Sequence, residues 1–89
     1  MNQGGKMISN HVEKIIATIT KVVTSDVGQI KFVICFNFEY REKGSITFSS
    51  NVWREEEDPQ VGQKVILSSI IQTNKGLRAR KARSMTIED

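Results

Sequence analysis

Five cations fall within nine positions near the C-terminus: Lys75, Arg78, Arg80, Lys81 and Arg83. Ammonium and guanidinium groups at this density neutralise phosphates, and a row of them can track a nucleic-acid backbone. On an ideal strand Arg78 and Arg80 share one face, while Lys81 and Arg83 share the other. Two other readings compete. Cations on an edge strand prevent edge-to-edge aggregation, and a basic strip can dock on an acidic protein surface. Trp53 beside Arg54 is a second candidate, because Trp and Arg are favoured anchors of protein interfaces. The plainer role for Trp53 is to plug one end of a small core.

Other chemistry finds no support in the residue inventory. There is no G-x-x-x-x-G-K-S phosphate loop, no nucleophile elbow and no paired-carboxylate context, so no catalytic residue is expected. His11 and Cys35 are the single histidine and cysteine. One of each builds neither a zinc site nor a disulfide, and no metal or cofactor is expected. The run Glu55 to Asp58 lacks the spaced ligands of a calcium loop and reads as a solvated acidic loop. A lone cysteine, with no signal-like N-terminus and no long apolar run, points to the cytosol or nucleus rather than to secretion or a membrane.

The elements that must carry these residues are short and β-rich. The chain has 89 residues and a net charge of +3, room for one core only. Residues 1–10 read as a flexible tail and 11–89 as the domain. The stretch from Glu13 to Thr24 is crowded with Ile, Val and Thr, which favours a strand with Ile15, Ala17, Ile19 and Val23 on one face. Ser25-Asp26-Val27-Gly28 is a turn. Ile30, Phe32, Ile34, Phe36, Phe38 and Tyr40 then alternate with Gln29, Lys31, Val33, Cys35, Asn37 and Glu39. That alternation predicts a second strand with Phe32, Phe36 and Phe38 in the core, Tyr40 partly exposed at its end and Cys35 buried or half-buried. Such a strand would span roughly 35 Å, so it should bend or be interrupted.

Arg41 to Gly44 reads as a hairpin loop, and Ser45 to Ser49 as a third strand. A helical turn over Ser50 to Trp53 is capped by Ser49 or Ser50. The fourth strand runs over 63–73, Asn74-Lys75-Gly76 is a turn, and the fifth strand runs over 77–87. In the fifth, Leu77 and Ala79 have one parity and Ala82 the other, so a bulge is expected near Arg80-Lys81. Five strands with a helical turn between the third and fourth predict an all-β, OB-type barrel, with an SH3-like barrel as the competitor.

Four motifs occur in order: Val27-Gly28-Gln29-Ile30, Ile46-Thr47-Phe48-Ser49-Ser50, Val61-Gly62-Gln63-Lys64-Val65 and Lys75-Gly76-Leu77-Arg78-Ala79. On these the chain resembles a divergent cold-shock domain over residues 16–87. A narrower likeness is to the cold-shock-like repeats of a cancer/testis antigen family and of germline RNA helicases. The resemblance implies a cold-shock-like OB barrel that binds single-stranded RNA or DNA. It also implies aromatics in two motifs, and there this chain departs. The first pair of positions holds Val27 and Gln29. The second motif, Gly44 to Phe48, keeps only Phe48.

The expected function is therefore weak, low-specificity binding of single-stranded RNA or DNA. Lys31, Phe48, Lys75, Arg78, Arg80, Lys81 and Arg83 would carry it. The alternative is a protein-interaction module on a barrel that has lost its stacking face, contacting its partner through Tyr40, Trp53 and Arg54. Either way the chain is expected to act as a monomer or as one domain of a larger protein.

Overall fold

The computed structural model describes residues 14–85. The expected tail, His11, Glu13 and the end of the fifth strand beyond residue 85 lie outside them. Five strands form the domain: β1 (Lys14–Thr24), β2 (Ile30–Phe36), β3 (Ile46–Ser49), β4 (Lys64–Thr73) and β5 (Gly76–Ser84). They close into a barrel in the order β1-β2-β3-β5-β4. The parallel β3–β5 contact, through Ile46–Leu77 and Thr47–Arg78, completes the ring. This is the strand plan of an OB-type barrel. Among the described residues no helix is long and apolar enough to cross a membrane.

β1 serves two partners. Its first half pairs with β4 and its second with β2, and Thr18 is opposite both Lys64 and Phe36. The register slips by one between Ile19 and Lys21, leaving Thr20 as the extra residue. A bulge there bends the strand and increases its twist, which a five-stranded barrel needs to close. A second slip, between Val23 and Thr24, leaves Lys31 without a partner on β1.

The inward face of β2 is the opposite of the expected one. Val33 and Cys35 are fully buried, whereas Phe36 and Phe38 are 45% and 65% exposed. Phe32 and Ile34 are half-buried on the outer side. The cause lies across the ladder, where Val33 faces Phe48 and Cys35 faces Ile46. The barrel interior is narrow, and large residues on β3 leave room only for small ones on β2.

The expected interruption of β2 comes early. Asn37 leaves the strand and caps a 3-10 turn over Phe38–Lys43, its side chain accepting from the Tyr40 amide at 3.1 Å. Phe38 and Tyr40 therefore belong to this turn rather than to a strand. Gly44, at φ 95°, ends the turn in a conformation that side chains disfavour. The second 3-10 turn, Ser50–Val52, is capped by the Ser49 hydroxyl, which accepts from the Asn51 amide.

β4 and β5 form a hairpin with one constant register from Val65–Ser84 to Thr73–Gly76. No residue is inserted near Arg80-Lys81, contrary to the expected bulge. The buried positions nevertheless change parity in both strands, from Leu67 to Ile70 and from Ala79 to Ala82. The distortion sits in β4, where Ser69 has φ 55° opposite Arg80. Both strands kink together, so Arg80 and Lys81 are consecutive and both exposed.

Candidate nucleic-acid interface

The cations of β5 are held on the outside of the barrel by their buried neighbours. Leu77, Ala79 and Ala82 point inward, and Arg78, Arg80, Lys81 and Arg83 are exposed between them. Lys75 is exposed in the β4–β5 turn, where its amide donates to the Thr73 hydroxyl at 3.1 Å. These five residues do not converge on one patch. Arg78 lies in a cross-strand row with Thr47, Ile34 and Lys21, on the β3–β2 side. Beyond the kink, Lys81 lies in a row with Ser68 and Lys14, and Arg83 in a row with Ile66 and Ile16, on the β4–β1 side. β5 is paired on both sides at its start, so the edge-strand explanation does not apply to Arg78.

Phe48 is removed from the interface. It is fully buried, and its ring stacks on Trp53 at 5.6 Å with an interplanar angle of 13°. It offers no face to a base. Trp53 is half-buried, bridges to Ala82 and donates its indole N–H to the Glu57 carbonyl at 2.8 Å. It packs against the core cluster while keeping part of its surface exposed. Tyr40 is half-buried against the core, while Lys31 and Arg54 are exposed. The run Glu55 to Asp58 is exposed but anchored, since a Glu55 carboxylate oxygen accepts from the Ser84 amide at 3.0 Å.

The residues that sequence reasoning assigned elsewhere build the better site. The outer face of β2 presents Phe32, Ile34 and Phe36, with Phe38 following on the 3-10 turn. Asn37 fixes that turn to β1, donating its side-chain N–H to the Ile16 carbonyl at 2.8 Å. The Arg41 guanidinium lies 3.8 Å from the centre of the Phe38 ring and donates to the Phe38 carbonyl at 2.7 Å. One ring face is thus held by a cation.

Between this turn and the first half of β1 runs an open groove of about 580 Å³, lined by Lys14, Ile16, Thr18, Phe36, Phe38, Glu39 and Lys64 among others. Lys64 Nζ donates to the Thr18 hydroxyl at 2.9 Å, which places its ammonium on the groove wall. Two aromatic rings and two ammonium groups in one groove match what a nucleotide presents: a flat base and an anionic phosphate.

Burial pushes the Cys35 thiol up to about 12, so it stays protonated and inert at neutral pH. Among the described residues no group of His, Cys, Asp and Glu is placed to hold a metal ion. A signal for the exposed aromatics did exist. Asn37 is a turn-former inside the apparent strand, and Val33 and Cys35 offered a second, smaller apolar face. The interface rests on this geometry, since no family model, no curated protein and no solved structure matches the chain.

Proposed function

We propose that the domain is a non-enzymatic module of the cytosol or nucleus that binds single-stranded RNA or DNA. It is a cold-shock-like variant of the OB barrel whose stacking residues have moved along β2. The observation that carries the reading is the exposure of Phe36 and Phe38 beside Lys14 and Lys64 in one groove. Bases stack on the exposed rings, and Lys14, Lys64, Lys21 and Arg78 meet the backbone. Lys31, Lys75, Arg80, Lys81 and Arg83 extend the positive field that draws the strand in. OB barrels bind oligonucleotides across the strand 2–3 face, and the outer residues Phe32 and Ile34, paired with Ser49 and Thr47, lie on that face next to the groove residue Phe36.

Fluorescence anisotropy with labelled oligouridine or oligothymidine at low salt tests this. Neutralising three or four phosphates gives a log–log salt slope of roughly −2 to −3. Phe36→Ala and Phe38→Ala each weaken binding by about 1–3 kcal/mol if a base stacks there. Absence of binding up to roughly 10⁻⁴ M, the weak end for non-specific contact, overturns the reading.

A second reading, a protein-interaction module, draws on Ile16 and Phe38, which are 50% and 65% exposed in the same groove. Its signature is partner capture that survives nuclease treatment while the oligonucleotides fail to bind.

A further inference from the structure

The groove contains one residue that phosphate binding alone does not explain. Glu39, in the first turn of the 3-10 segment, is exposed on the groove wall with Phe36, Phe38, Lys14 and Lys64. A carboxylate beside a path for phosphates repels them, so by itself it lowers affinity. The other polar side chains there are engaged. Asn37 donates to the Ile16 carbonyl and accepts from the Tyr40 amide, and the Thr18 hydroxyl accepts from Lys64. Glu39 is thus the one carboxylate among the described residues lining the groove, and the one anionic acceptor there for a ligand.

An ionised carboxylate accepts hydrogen bonds and donates none. It therefore discriminates among base edges. Guanine presents two adjacent donors, N1–H and the N2 amino group, which match the two oxygens of one carboxylate. Uracil and thymine present a single N3–H between two carbonyl oxygens that repel it. Adenine and cytosine present one amino group beside a ring-nitrogen acceptor. Bidentate pairing is the geometry that makes carboxylate recognition strong.

We infer that this groove is a guanine-selective subsite, an inference that rests on the single-strand-binding reading above and deepens it. The guanine base lies on Phe36 and Phe38, its Watson–Crick edge meets Glu39, and its phosphate meets Lys14 and Lys64. The span fits. Phe36 and Lys64 flank Thr18 on adjacent strands, which sets their backbones ~10 Å apart at a ladder spacing of ~4.8 Å. The long lysine chain then covers the distance from base to phosphate. Phe32, the remaining ring of β2, takes a neighbouring base without reading it.

Three labelled strands test this by anisotropy: a short uridine oligomer, the same oligomer with one central guanosine, and the same with inosine there. One guanosine should tighten binding about tenfold, within the range a good bidentate base contact supplies. Inosine keeps N1–H but lacks the amino group, and should recover only part of the gain. Glu39→Gln should abolish the guanosine preference while binding the uridine oligomer as tightly or more tightly. Equal affinity of wild type for the uridine and guanosine strands, or a preference that survives Glu39→Gln, overturns the inference and leaves single-strand binding standing. Failure of all three strands to bind overturns both.

Discussion

Phe36 and Phe48 have the same side chain and opposite roles, and their cross-strand partners explain why. Phe48 faces Val33, lies against Trp53 and has no exposed surface. Phe36 faces Thr18, is almost half exposed and borders the groove. Phe48→Ala should therefore cost about 3–5 kcal/mol, the transfer term plus the cavity it leaves. In a domain this small that approaches the whole stability, so the variant should be largely unfolded in urea titration or circular dichroism. Phe36→Ala should leave the urea midpoint nearly unchanged. A Phe48 variant of normal stability would mean that the ring is not part of the core. Alternation alone could not separate the two residues. Each sits at an alternating position of a β-rich stretch, and only the residue across the ladder decides which way it points.

At the scale of elements, much of the fold was legible and one strand was not. β1, β3, β4 and the start of β5 fall where β-branched runs and turn residues put them, and the capped turn after β3 follows from Ser49. β2 misled because both its faces are apolar. A strand apolar on both faces takes its orientation from the volume available inside, which depends on residues far away in sequence. The kink of β4 and β5 was half legible. The parity change at Arg80-Lys81 is visible in the sequence, but its cause, Ser69 in a left-handed conformation, is not. The candidate site is hidden for the same reason, because the alternation of β2 places Phe36 and Phe38 in the core. Asn37 is where the site and the fold meet. Its side chain caps the 3-10 turn with one hydrogen bond and ties it to β1 with another. Asn37→Ala should lower stability by about 1–2 kcal/mol, the usual cost of removing a cap. It should also weaken oligonucleotide binding, because Phe38 loses its fixed position. Asn37→Asp keeps the cap acceptor and loses the donor to Ile16, so it should recover stability better than affinity. Equal recovery of both would separate the turn from the site.

At the scale of the whole molecule, charge and shape point to one side of the barrel. The net charge of +3 is small, and the effect of each cation depends on where it stands. The end of β5 lies beside the acidic run, with Glu55 bound to the Ser84 amide, so phosphates approaching Lys81 and Arg83 also meet that negative field. Lys14 and Lys64 stand beside the exposed rings instead, where one nucleotide can meet a ring and a cation together. Two paired substitutions separate these positions. Lys14→Ala with Lys64→Ala and Lys81→Ala with Arg83→Ala remove the same formal charge, so a purely long-range field would treat them alike. Direct pairing with phosphate would not. For each phosphate that is no longer neutralised, the magnitude of the log–log salt slope falls by about 0.7 for a single strand. The groove pair should therefore flatten the slope by more than one unit and weaken binding at every salt concentration. The β5 pair should act mainly at low salt, slowing association with little change in slope. The measurement is the salt dependence of affinity and of association rate for both variants, on the same oligonucleotide. If the β5 pair flattens the slope and the groove pair does not, the strand runs along β5, and the aromatics of β2 are not where its bases rest.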